Sequence, residues 1–181
     1  MASINPILED LARLRRELAA LGKMKVHVGI VDDEGSEILT IAAIHEYGAT
    51  IKMKPAMRRY LGAIGMFDDS ENYTPPAGHK TGYINIPERS FIRASYDAGQ
   101  QELNDIIRRA VNKVMNGTAT AREAMDEIGL RASQLTQNFI NEGNVQPPKG
   151  EFTQEHSSQY TPLVDSGRLV SSISYEIEGG D

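Results

Sequence analysis

Apolar and polar residues alternate along this chain with two different periods, and the switches between them mark its elements. Over residues 1–22, Ile7, Leu8, Leu11, Leu14, Leu18 and Leu21 form one stripe, while Arg13, Arg15, Arg16 and Glu17 take the other face. The pattern predicts an amphipathic helix, capped by Asn5, with Pro6 at its first position and Gly22 at its end. Its expected role is to cover a sheet, with an exposed partner helix as the alternative. Residues 24–31 change to period two, with Val26, Val28 and Ile30 on one face and Lys25, His27 and Gly29 on the other, which predicts a strand.

Helical spacing returns at 37–47 through Ile38, Ile41, Ala42 and Ile44 or His45, and Gly48 stands where a helix end calls for positive φ. Residues 50–85 are the least regular part. Ile51 and Met53 alternate with Lys52 and Lys54, and Ile84 and Ile86 alternate around Asn85. This predicts two arms of an antiparallel hairpin around a long projecting excursion, and loops of that length are functional or disordered. We expect this one to order on a partner subunit.

A helix over 88–116 follows, near 43 Å long at about 1.5 Å per residue. Pro87 begins its first turn, and its stripe runs through Ile92, Tyr96, Gly99, Leu103, Ile106, Ala110 and Val114. Asn116-Gly117 ends it. Thr120 and Glu123 have capping-box spacing, and a second helix runs to about Asn141 with Ala121, Ala124, Met125, Ile128, Leu135 and Phe139 on one side. Residues 144–161 are polar and turn-rich and read as an extended arm. Asp165 is placed to cap a short helix through Leu169, and Ile173, Tyr175 and Ile177 form a last strand that pairs with 24–31 or with the hairpin. The expected fold is one α+β domain over 1–181: a small mixed or antiparallel sheet packed against a long αα-hairpin, with the 50–85 loop projecting.

Composition narrows the function classes. A chain of 181 residues with 40% hydrophobic and 24% charged residues is long enough for a real core. It has no cysteine, which excludes a disulfide framework and a thiolate metal site. The sequence shows no signal-peptide pattern and no apolar run of the roughly 20 residues that span a bilayer. A cytoplasmic origin is therefore expected, with no membrane partner. The net charge of −6 opposes a general grip on nucleic acid. Lys52, Lys54, Arg58 and Arg59 beside Tyr60 make a local basic patch, which keeps a nucleic-acid-binding module as an alternative.

No catalytic, cofactor or metal set emerges. His45-Glu46 lacks the second histidine of a zinc-protease helix, because position 49 is alanine. Asp32-Asp33-Glu34-Gly35 lacks the full spacing of a calcium loop and reads as a solvated turn. Asp165-Ser166-Gly167 matches half of an aspartic-protease site, which needs two facing carboxylates; only fourteen residues follow Gly167, and no β-rich scaffold precedes it. The chain is not expected to be an enzyme.

Three blocks carry a resemblance. His45-Glu46-Tyr47-Gly48-Ala49 ends a helix, Ile86-Pro87-Glu88-Arg89-Ser90-Phe91-Ile92-Arg93 joins a strand to a helix, and Leu163-Val164-Asp165-Ser166-Gly167-Arg168-Leu169 leads to Ser172-Ile173. In this order they resemble the tail-completion or head–tail joining proteins of long-tailed bacteriophages, related to the virion morphogenesis proteins of Mu-like phages. The 50–85 excursion is longer than the family's usual connection. The resemblance implies a virion protein at the head–tail junction, assembled in the host bacterial cytoplasm. It implies a homo-oligomeric ring, hexameric, between the head-completion or connector protein and the tail tube or tail terminator, through which genomic DNA passes without specific binding. A tail terminator ring is the close variant. Assembly candidates are then Glu46, Tyr47 and Gly48; Lys52, Lys54, Arg58 and Arg59; Pro87, Arg89 and Phe91; and Asp165, Gly167 and Arg168, with Arg89 expected to pair with a nearby acid.

Overall fold

The computed structural model describes residues 5–31, 37–64, 82–150, 162–163 and 167–180. The chain is α+β. Its elements are α1 (Asn5–Leu21), β1 (Lys25–Ile30), α2 (Glu37–Tyr47), β2 (Ala49–Lys52), α3 (Pro55–Ala63), β3 (Tyr83–Ile86), α4 (Ile92–Met115), α5 (Ala121–Asn141), α6 (Arg168–Ser171) and β4 (Ile173–Glu178).

The αα-hairpin forms as its sequence directs. Gly117 takes φ +71° after α4, a conformation costly for a residue with a Cβ. The Thr120 hydroxyl accepts from the Glu123 amide at 3.2 Å, while the Glu123 carboxylate accepts from the Thr120 amide at 2.8 Å. The predicted capping box is complete. Buried Ser95 of α4 and Thr136 of α5 share a hydrogen bond at 3.0 Å. The small residues Ser133, Thr136 and Gly129 are buried in α5, where the predicted stripe had placed larger ones. Ser95 and Ser133 also bond back to carbonyls three residues earlier, so their burial leaves no hydroxyl without a partner.

β4 pairs antiparallel with β1, matching Val26 to Ile177, Val28 to Tyr175 and Ile30 to Ile173 on the inner face. Lys25, His27, Glu176 and Glu178 take the outer face, where His27 Nε2 lies 2.9 Å from the Glu178 carboxylate. This sheet lies on α5. Gly129 makes the approach possible, since a Cβ there would overlap the Tyr175 ring. β2 and β3 form a separate antiparallel hairpin with Ile51 opposite Ile84. Sequence periodicity had placed these arms correctly.

Three expectations need correction. First, α1 does not cover the sheet. It packs on α4 and α5, where Leu21 meets the cluster of Ala110, Val114 and Ala124. The Glu17 carboxylate accepts from the Ala121 amide at 2.7 Å. Ile7, Leu8, Leu11 and Leu18 stay exposed. Second, the excursion after β2 opens with a helix, α3, because Pro55 suits a first helical position and Ala56, Met57, Arg58, Arg59 and Leu61 are good helix formers. Third, α4 begins at Ile92, so Pro87 precedes the helix instead of opening it. Residues 87–90 run without helix or strand, held by an Arg89 amide bond to the His45 carbonyl at 2.7 Å. The segment 144–150 runs without helix or strand, and its Val145 is buried in the main core. The arm's remainder over 151–161, the Asp32–Gly35 turn, Asp165 and the side chains of Asn5 and Pro6 lie outside the described residues. The main core joins Phe91, Ala42, Ile140, Val145, Leu169 and Ile173.

Candidate functional site

The helix end of the first block and residues 90–93 of the second meet at one buried carboxylate. On α2 the buried positions are Ile38, Ala42 and Glu46, an i, i+4, i+8 stripe whose last member is an acid. Glu46 is 4% exposed. A carboxylate so placed destabilises the fold unless its oxygens are hydrogen-bonded. Here Oε2 accepts from the Phe91 amide at 2.8 Å and the Ile92 amide at 3.0 Å. Oε1 accepts from the Ser90 hydroxyl at 2.8 Å, the Arg93 amide at 3.2 Å and Arg93 Nε at 3.0 Å. These amides are the free donors at the start of α4. Phe91 stands at the N-cap position and has no side-chain cap of its own. Glu46 therefore caps α4 from another helix, and its charge meets the positive pole of the α4 dipole.

Burial by itself pushes the Glu46 carboxyl up. The bonds from the Ile92 amide, the Ser90 hydroxyl and Arg93 outweigh it and hold the carboxyl below its ordinary value. Arg93 completes the junction. Its Nη2 donates to the Glu46 carbonyl and to Glu88 Oε1, both at 2.8 Å. Its guanidinium lies 5.1 Å from the centroid of the exposed Tyr47 ring. Gly48 turns the chain away with φ +71°. A Cβ there would stand 2.9 Å from the Glu88 amide nitrogen and 3.0 Å from the Ile86 carbonyl.

Arg89 differs from its expected role. It donates from Nε to the Pro147 carbonyl at 2.9 Å and from Nη2 to the Pro148 carbonyl at 3.1 Å, so it holds a chain segment and not an acid. Five donors in a rigid fork suit paired carbonyls as well as carboxylates. Burial, and then the Arg89 charge, push the His45 imidazole down from its ordinary value. Its Nδ1 is buried without a hydrogen-bond partner among the described residues.

The remaining candidates fall elsewhere. Lys52 on β2, Lys54 just before α3 and Arg59 on α3 are exposed, and Arg58 is half-buried beside them. Gly167 takes φ +71° at the position before α6, and Arg168 reaches Glu37 at 3.4 Å, tying α6 to the start of α2. Phe91 is fully buried, and Leu169 and Ile173 of the third block share its core. The structure thus brings together Glu46, Tyr47, Gly48, Pro87, Arg89 and Phe91. It leaves the basic patch apart.

Sequence reasoning missed Arg93, Ser90 and Gly129. An acid at the third position of an apolar stripe was the available signal for a buried carboxylate, and it calls for donors such as Ser90 and Arg93. Nothing in local spacing marks Gly129, whose need comes from Tyr175 across the sheet. Among the described residues, no group of three His, Cys, Asp or Glu side chains is placed to hold a metal ion, and no helix is long and apolar enough to cross a membrane. Comparison with family models, with curated proteins and with solved structures found no match to this chain.

Proposed function

We propose that this chain is a structural virion protein at the bacteriophage head–tail junction. It forms a ring, hexameric by the family pattern, that joins the tail tube to the head connector and lets DNA pass. The observation that carries the reading is the convergence on Glu46. The first and second blocks of the resemblance are bound to each other through that carboxylate, and the third shares the Phe91 core. Residues widely separated in the chain and alike to one family therefore have a common structural task. Both Glu46 oxygens are engaged by backbone and side-chain donors, so the motif works as a joint. A net charge of −6 supports passage of DNA without adhesion.

Electron cryomicroscopy of purified particles tests this. The expected result is ring density between connector and tail tube that fits this chain, and its neighbours separate a completion protein from a tail terminator. Absence of the chain from finished particles would sink the reading. The nucleic-acid alternative rests on Lys52, Lys54, Arg58 and Arg59, of which Arg58 is half-buried. It requires DNA affinity that falls steeply with salt.

A further inference from the structure

The turn of the αα-hairpin carries chemistry of its own. Of the chain's asparagines, Asn116 alone precedes a glycine. An asparagine side chain in that setting is open to attack from its own backbone, because glycine has no Cβ to hinder the approach of its nitrogen. The Gly117 nitrogen gives up its proton to solvent and bonds to Asn116 Cγ, the Cγ–Nδ2 bond breaks, and ammonia leaves. Solvent water then opens the five-membered imide. Attack at Cγ restores the main chain and leaves aspartate, and attack at the backbone carbonyl leaves an isoaspartyl link. The balance is water in and ammonia out, with no redox partner.

The fold holds this site shut. Asn116 is exposed and lines a groove of about 420 Å³ between α1 and the turn, so water reaches it. What the fold denies is the reacting geometry. Asn116 has ψ 0°, which sets the Gly117 nitrogen on the side of the Asn116 nitrogen and away from Cβ. The Gly117 amide donates to the Val114 carbonyl at 3.0 Å and the Thr118 amide to the Lys113 carbonyl at 2.9 Å, the paired bonds that close a helix on a left-handed glycine. α1 braces the same turn from outside. The Arg13 guanidinium lies against Gly117, where a Cβ would stand 2.5 Å from Nη2. Glu17 accepts from the Ala121 amide at 2.7 Å, just past the turn. Leu21 packs on the cluster that holds Val114, just before it. Reaction therefore requires the turn to unwind, and α1 sits across both of its ends.

We infer that Asn116-Gly117 is a self-deamidation site that α1 holds closed, so that it reacts when α1 lifts and the turn opens. Local opening of a peripheral element costs less than global unfolding. Each conversion is irreversible, so copies of the chain accumulate a chemical record of how often this corner has opened. The site belongs to α1 and the hairpin, and it operates whether or not the chain forms a ring.

Peptide mass spectrometry of the aged full-length protein tests this, on the tryptic peptide 114–122 that follows Lys113 and ends at Arg122. Samples age in mildly alkaline buffer, with freshly digested protein as the baseline. The expected rate of amide-to-acid conversion in the native parent is many-fold below its rate in concentrated urea. Arg13→Ala combined with Glu17→Ala should raise the native rate several-fold, and Leu8→Ala, on the exposed part of α1, should match the parent. Equal parent rates in buffer and in urea overturn the inference, as does a double variant no faster than the parent or than Leu8→Ala. If the double variant loses its cooperative melt, the parent decides. Below its urea midpoint the rate should then climb with the shallow slope of α1 amide exchange. A rate that climbs only with the steep global slope overturns the inference.

Discussion

Glu46 Oε2 lies 2.8 Å from the Phe91 amide, so an acid at the end of α2 begins the helix α4. With the Ile92 and Arg93 amides it takes up three donors that the helix cannot use itself. Glu46→Ala should destabilise the fold by about 3 kcal/mol, on the scale of lost charge-assisted bonds at a buried site. Glu46→Gln keeps one acceptor and should cost about half as much. Urea unfolding with an unchanged slope measures both. A Glu46→Ala protein within about 0.5 kcal/mol of the parent would remove the capping role.

Acid should weaken the protein in two windows. His45 is held below its ordinary 6.5 in the fold. The unfolded chain therefore binds the extra proton first, and stability falls as pH drops through about 6.5. Glu46 is held below its ordinary 4.5. Its contribution is complete above that value and is lost as pH falls toward the folded value. His45→Gln should flatten the upper window and leave the lower one. Thermal melts across pH 3–8 read this, and an unchanged upper slope in His45→Gln would count against it.

Gly129 and Tyr175 should be energetically coupled. Gly129→Ala places a methyl group in the tyrosine ring and should cost about 1–3 kcal/mol, the range for overpacking. In a Tyr175→Ala background the same change should cost far less. A double-mutant cycle isolates the coupling, and simple additivity would mean that the ring moves aside freely.

Arg89→Ala should loosen residues 144–150, because Arg89 donates to the Pro147 and Pro148 carbonyls. Trypsin should then cut after Lys149 faster than in the parent at equal global stability. Arg89→Lys should restore little, since one ammonium does not reproduce the fork. Equal cleavage rates in all three proteins would contradict the tether.

The periods of the sequence made the elements legible. Val26, Val28 and Ile30 alternate because one face of β1 meets α5, and Thr120 and Glu123 carry a cap in four consecutive residues. What stayed hidden lies between distant parts of the chain. Ser133 and Thr136 read as polar, yet they are buried, because short hydroxyls can bond within the helix while admitting a neighbour closely. Leu8 and Leu11 read as core, yet they are exposed, since α1 reaches only the turn end of the αα-hairpin. At the candidate site the spacing left out Ser90 and Arg93, which bond the Glu46 carboxylate. Arg89 sought an acid on paper and found two carbonyls in the fold. Glu46 read as part of a helix end and proved to be the cap of another helix.

The Glu46 junction also sets how freely its surroundings can change over evolutionary time. Three of its donors are main-chain amides, which every residue except proline supplies. Positions 91–93 can therefore exchange side chains without breaking the amide half of the joint, whereas position 46 requires an acceptor of the right reach. Three of the five donors to the carboxylate are written in backbone, where substitutions leave no mark, and the letters at positions 46, 90 and 93 hold the rest.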